Sequence, residues 1–305
     1  MKQRPSLTQL LASRKLLFVT GKGGIGKSLV SAALAQAAAA AGRRVMLVEN
    51  SARDQLAPLF GLEPVGHNET AAAPGITCIN LNATGNFREY VTKYLGQGKL
   101  FESVLSHRVV QSFFNTVPGL AEAMLLGRLF YTCTLRDESS RPDLVICDSP
   151  ASGHFLSLMT TPDAILGSGM AGPMMRDTAK VRDFLSHRDQ CGVIYVCTPE
   201  PLVISEAQDF LPVIEAKSPA KLDAVIVNRI PPRVSQASVA DGESGLLDYL
   251  ITRSRKASEA MGMLDETLKA FPRVALQGLA DMGFVDDPLA DDFHQAFLRE
   301  EAFPS

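Results

Sequence analysis

The chain has 305 residues, of which 46% are hydrophobic and 21% charged, with a net charge of −3. Such a length and balance suit one large α/β domain with a sizeable buried core. The slight acidity and the scattered lysines and arginines argue against nucleic acid or an anionic membrane surface as the principal partner.

Residues 1–14 read as a short amphipathic lead-in, with Leu7, Leu10 and Leu11 at helical spacing, expected to pack on the domain. The stretch 16–28, LLFVTGKGGIGKS, then reads as strand, loop and helix. Gly21, Gly26, Lys27 and Ser28 stand at the P-loop spacing G-x-x-x-x-G-K-S. The glycines Gly21, Gly23, Gly24 and Gly26 let backbone N–H groups, Ile25 included, close around phosphate oxygens at a helix N-terminus. Lys27 is expected on the β- and γ-phosphates and the Ser28 hydroxyl on Mg²⁺, so the expected ligand is ATP with Mg²⁺. Lys22 places a second cation inside the loop, beside the anion site. The alternatives are a structural glycine turn and a solvated lysine.

Residues 28–41 are helical and apolar on most sides, and Gly42 ends them. VMLVE (45–49) is a second buried strand, and this alternation specifies a parallel sheet with right-handed crossovers. The segment 49–61 leaves the C-terminal end of that strand, where ligand-contacting loops sit. Another strand follows at 76–81. From 85 to about 135 the pattern turns helical, with Leu100, Phe101, Val104, Leu105, Val109 and Phe113 in one wide apolar stripe. This is too much helix for one crossover and implies an inserted helical subdomain.

DLVICDSP (143–150) returns to the core as a strand ending on Asp148, placed to reach the Mg²⁺ shell through water or else to cap the next turn. Residues 151–162, ASGHFLSLMTTP, read as a loop suited to sensing a γ-phosphate, with His154 bonding within it or capping the next helix. A helix over 170–187 and a strand over 192–198 follow, then a helix with an acidic first turn in PEPLVISEAQDFLPVI. AVIVN (224–228) ends on Asn228, whose amide is placed to read an adenine edge or simply to close the strand. Residues 231–245 are polar, 249–270 helical, and 273–276 a last strand.

The fold class is therefore α/β: a P-loop NTPase with a mostly parallel sheet flanked by helices. Its core spans about 15–84, 140–162 and 190–305, and a helical subdomain spans about 85–138 with 163–189. Cys78, Cys133, Cys147, Cys191 and Cys197 form no C-x-x-C pair, and three lie in strand-like runs. They read as reduced, buried thiols of a cytoplasmic protein. No signal-peptide core is visible, and the Ala-rich run 32–41 is too short and weakly apolar for stable membrane insertion.

The loop GKGGIGKS, with Lys22 after Gly21, resembles the deviant Walker A loop of Min and Par proteins, nitrogenase iron protein, arsenite-efflux ATPases and tail-anchored-protein targeting factors. Together with DSPASGH (148–154), VCTPEPLVISEA (196–207) and VNR (227–229), it resembles one branch, the anion-transporting and tail-anchored-protein targeting ATPases. The resemblance implies an ATP-driven dimer that transmits nucleotide state to its helical subdomain. It assigns Lys22 to phosphates across the dimer interface, Lys27 to phosphates, Ser28 and Asp148 to Mg²⁺, and Asn228 to adenine.

One departure stands out. The targeting members carry an aspartate just after the second strand that orients the attacking water, and gapless alignment of VMLVENSA puts Ser51 there. Serine cannot supply that charge, and Glu49 and Asp54 are the neighbouring carboxylates. The zinc C-x-x-C is absent, and no cysteine cluster supports metalloid binding. The leading expectation is an ATP-binding, weakly hydrolysing switch. It works as a homodimer, or as a heterodimer with a related ATPase, with a protein client on the helical subdomain. The alternatives are a low-turnover regulatory subunit paired with an active paralogue and, more weakly, a Min/Par-like positioning switch.

Overall fold

The computed structural model describes residues 6–95, 119–169, 172–231, 244–271 and 275–280. Helix α1 (Leu7–Ser13) opens with a capping box, in which the Ser6 and Gln9 side chains each accept the other's backbone N–H. Its three leucines are buried, so the lead-in packs on the domain. Strand β1 (Leu16–Gly21) feeds the P-loop and helix α2 (Lys27–Ala40), followed by β2 (Val45–Glu49), the short α3 (Leu56–Leu59), β3 (Thr70–Ala73) and β4 (Ile76–Asn80). Helices α4 (Ala83–Leu95) and α5 (Leu120–Thr134) precede β5 (Leu144–Asp148), and α6 (Ser152–Gly167) and α7 (Pro173–Ser186) precede β6 (Cys191–Cys197). Then come α8 (Pro201–Lys217), β7 (Leu222–Ile230), α9 (Ser244–Leu268) and β8 (Ala275–Ala280).

The strands form one eight-stranded sheet in the order β3-β4-β2-β5-β1-β6-β7-β8. Every neighbouring pair is parallel except the edge pair of β3 with β4. Successive side chains go to opposite faces, and strands covered on both faces are apolar throughout. Phe18, Val48, Cys147 and Tyr195 join one core with α5 to α9; Val19, Leu47, Ile146 and Val196 join the other with α1 and α2. The buried alanines of α2 let that helix lie close to the sheet. Gly42, at φ +85°, ends it with an N–H to the Ala39 carbonyl.

The chain leaves β1 toward β2 on one side and later returns through β5 to β6 on the other. The switch point of the sheet therefore lies at the C-terminal end of β1, where a parallel α/β sheet opens its ligand crevice.

Several expectations need correction. Residues 152–162 are not a loop but the start of α6, because Phe155, Leu158, Met159 and Ile165 bury a helical stripe that outweighs Gly153 and Pro162. His154 is exposed on its first turn. The first turn of α8 holds no acidic residue; Glu200 occupies the N-cap and Pro201 starts the helix. The last strand begins at Ala275, and β7 runs two residues beyond Asn228. Edge strand β3, TAAA, has no pattern to announce it. The apolar stripe at 100–113 lies outside the described residues, as does most of 231–245.

All five cysteines are buried and unpaired, four of them in strands. Burial raises every thiol pKa, to about 12 for Cys78, Cys147 and Cys197, so they stay protonated and unreactive. Among the described residues no helix is long and apolar enough to cross a membrane.

Candidate nucleotide site

The loop between β1 and α2 owes its shape to its glycines. Gly21 has φ +148°, and a Cβ there would stand 2.2 Å from the Val196 carbonyl oxygen on β6. Gly26, the N-cap of α2, has φ +90°, and a Cβ would stand 2.5 Å from the Asn228 amide nitrogen. At Gly21 a side chain would have to move the β6 backbone, and at Gly26 it would displace the Asn228 amide and strain a left-handed backbone. Gly24 is also left-handed, Gly23 faces open space, and Ile25 is buried as the loop's apolar anchor. Gly26 brings no capping side chain, which suits the first N–H groups of α2 to an anion.

Lys27 arches back over the loop, its Nζ donating to the Lys22 carbonyl at 3.1 Å. Burial lowers its pKa, and the nearby Asp148 charge opposes that. Lys22 turns outward and pairs with Glu206 of α8 at 2.6 Å, both side chains roughly half exposed. Ser28 Oγ donates to Asp148 Oδ2 at 2.6 Å and lies 3.3 Å from Gln55 Oε1.

Asp148 ends β5 beside Val19 of β1 and Glu49 of β2. Burial pushes its pKa up to about 6, while the Ser28 hydrogen bond and Lys27 hold it down. Its second oxygen, Oδ1, is buried with no hydrogen-bond partner among the described residues. An orphaned carboxylate oxygen beside a bonded serine fits the shell of a hydrated Mg²⁺, so Ser28 and Asp148 could hold that ion.

The loop after β2 is fastened by carboxylates. Glu49 is 2% exposed and accepts the backbone N–H groups of Gln55 and Leu56 and the Ser51 hydroxyl, the last at 2.9 Å. The Ser51 hydroxyl also lies against the Arg53 carbonyl. Asp54 faces away, accepting from the Val65 and Gly66 N–H groups and the Asn80 amide, and these bonds hold its pKa below the ordinary value despite some burial. Asn80 also bonds both backbone groups of Ser51.

Lys22, Lys27, Ser28 and Asp148 thus gather at the end of β1 with the loop glycines, and Ser51 lies on the adjoining loop. Asn228 is brought against the P-loop, its amide donating to the Ile25 carbonyl at 2.9 Å and accepting the Arg229 N–H. Two residues of the site carry no sequence signal: Gln55, which belongs to no motif, and Asn80, which ends β4 and takes its side-chain partners Ser51 and Asp54 from the loop after β2.

A family model described as anion-transporting ATPase matches residues 14–171, more than half of the chain and all of the site except the β6 to β7 side. The chain belongs to the anion-transporting ATPase family. ATPase BagA of Mycobacterium tuberculosis is 29% identical over 280 residues, covering 87% of this chain and 82% of that protein. An arsenical pump-driving ATPase of Escherichia coli is 30% identical over 152 residues, 48% of this chain and 25% of that protein. ATPase ASNA1 homolog 1 of Paramecium tetraurelia is 26% identical over 163 residues, 52% of this chain and 47% of that protein. The four motifs thus led to the right family, and in this anion-transporting ATPase family member the matched segment holds the P-loop, the loop after β2 and Asp148.

A second feature of this family member lies on the helical side. Helices α4, α5 and α7 line a groove of about 600 Å³, with Met124, Leu126, Tyr131, Met174 and Val181 among its walls. Tyr131 and Leu135, also in its lining, are exposed. A polar route leads there from the β2 loop. Asp54 holds residues 65 and 66, the His67 ring bonds the Asn82 N–H and Glu89, and Glu89 pairs with Arg128 at 3.2 Å. Glu89 and Arg128 both line the groove.

Proposed function

We propose that the chain binds Mg²⁺–ATP at the P-loop and acts as a dimeric nucleotide switch whose state is read by a partner on its helical side. The observation that carries this reading is the Ser28–Asp148 hydrogen bond with Oδ1 of Asp148 left over. A strand-end carboxylate desolvated at an energetic cost, bonded to the P-loop serine, with the Ser31 hydroxyl near it and Oδ1 still short of a hydrogen bond, is explained by a metal–nucleotide ligand. The loop N–H groups and Lys27 would hold the phosphates, and Asn228 would face the base. Bound Mg²⁺ would neutralise charge on the β- and γ-phosphates.

Lys22 would leave Glu206 to reach the phosphates of a second subunit. Half-exposed ion pairs contribute at most about 1 kcal/mol, so that release is cheap. The polar route through Asp54, His67, Glu89 and Arg128 supports coupling between the site and a protein client in the groove. Titration of ATP with and without Mg²⁺, followed by light scattering of the complex, tests binding and dimerisation together. One site per chain and an ATP-dependent doubling of mass support the reading; no binding overturns it.

A second reading, a low-turnover regulatory subunit, is favoured by Asp54. That carboxylate is committed to residues 65, 66 and 80 and points its bonds away from the P-loop. Phosphate release by the purified chain, alone and with a related subunit, separates the two.

A further inference from the structure

Strand β7 breaks its regular course where it meets the P-loop. Its pairing with β8 shifts register between Val227 and Ile230, and within that shift Arg229 sits at φ +58°. This is a left-handed backbone that a residue with a side chain adopts only under constraint. The constraint is local: Asn228 Oδ1 accepts the Arg229 N–H at 2.9 Å. An irregularity of this kind re-aims a side chain, and strain persists only where surrounding bonds hold it.

The side chain re-aimed here is that of Asn228, which is only 4% exposed. Its amide nitrogen donates to the Ile25 carbonyl at 2.9 Å and lies so close to Gly26 that a Cβ there would stand 2.5 Å away. The Ile25 side chain is itself buried in the core, so this residue is held at both its side chain and its carbonyl. The Ile25–Gly26 peptide is trans, and its carbonyl and N–H therefore point in opposite directions. Fixing the carbonyl on Asn228 turns the Gly26 N–H away from that amide, at the N-cap of α2 directly before Lys27 and Ser28. One N–H and one oxygen lone pair of Asn228 are left over, so the bond to the loop leaves room for contact with a base.

We infer that Asn228 is a positioning residue for the phosphate chain: by fixing the Ile25–Gly26 peptide it presets the loop N–H groups and sets affinity for the phosphates whatever base they carry. This deepens the nucleotide reading above and rests on it. A loop containing Gly23, Gly24 and Gly26 has wide backbone freedom, and ordering it only when the ligand arrives would cost affinity. The strut from β7 places that ordering in the folded protein instead.

The test uses the full chain, calorimetric titration with ATP and with inorganic tripolyphosphate, and thermal melting. Asn228→Ala should weaken tripolyphosphate binding about tenfold, the size expected when a buried carbonyl loses its donor, and ATP binding at least as much. Adding Arg229→Gly to that variant removes the cost of the left-handed backbone, so it should recover part of any lost melting temperature and none of the lost affinity. A crystal structure of wild type with tripolyphosphate, which serves even if Asn228→Ala fails to fold, should keep the bond from Asn228 to Ile25. Unchanged tripolyphosphate affinity in Asn228→Ala, with the loss confined to ATP, overturns the inference and is the behaviour of a base reader alone. Full recovery of affinity in the double variant overturns it too, by tracing the loss to the β7 backbone, as does a liganded structure in which the amide has let go of the loop. Wild type that binds ATP but not tripolyphosphate also overturns it, and leaves the nucleotide reading standing. Wild type that binds neither removes the nucleotide reading itself.

Discussion

Replacing Asp148 with asparagine separates what its carboxylate costs from what it does. In the nucleotide-free protein its pKa is about 6 against an ordinary 3.8, a rise of about two units, or about 3 kcal/mol. The folded value lies above the unfolded one, so between about pH 4 and 6 the native state holds the extra proton. Stability contributed by this group therefore falls as pH rises through that window, and at pH 7 the full penalty is present. Asp148→Asn removes the buried charge while the amide oxygen can still accept from Ser28. At pH 7.5 the nucleotide-free variant should melt a few degrees above wild type. The same change removes the charge meant for Mg²⁺, so Mg²⁺ should no longer tighten ATP binding. In wild type the ionised fraction at pH 5 is about one tenth, so Mg²⁺–ATP affinity should fall about tenfold between pH 7 and 5. The variant should lack that step, leaving only the pH dependence of ATP itself. Melting curves and analogue titrations at pH 5, 6 and 7 check all three points. A variant that melts lower without ligand and keeps full Mg²⁺ dependence would refute the reasoning.

Lys27→Ala should abolish ATP binding, whereas Lys22→Ala should leave monomer affinity intact and weaken ATP-dependent dimerisation; equal loss of affinity in both counts against a role for Lys22 across the interface. Arg14→Ala should destabilise the fold by about 3–5 kcal/mol in chemical denaturation, because it strands Asp223, buried on β7 and bonded to Arg14 at 2.7 Å and 3.1 Å. Tyr131→Ser with Leu135→Ser should weaken binding of an amphipathic helical peptide to the groove and leave ATP affinity unchanged; intact peptide binding removes the groove as the docking site.

The α/β core was readable because parallel strands are apolar on both faces, so LLFVTG, VMLVE, LVICD and CGVIYVC stand out as runs. The P-loop was readable because its glycines stand at a fixed spacing before Lys27 and Ser28, and the left-handed backbone at Gly26 and the close approach of Gly21 to the Val196 carbonyl call for glycine there. What escaped detection has equally physical causes. TAAA carries no alternation, so edge strand β3 left no trace. Gly153 and the polar residues of 151–162 suggested a loop, while the stripe that makes α6 a helix continues to Ile165. Ser51 carries no charge to mark the loop, and Glu49, the carboxylate its hydroxyl meets, reads in sequence as the end of a buried strand. The clamp of Asp54 and Asn80 joins residues 26 apart and has no sequence pattern.

The most direct test of the account is a calorimetric titration of Mg²⁺–ATP into the wild-type chain, repeated with ATP in EDTA. The account predicts saturable binding at one site per chain that tightens with Mg²⁺. Absence of saturable binding, or binding indifferent to Mg²⁺, would contradict it.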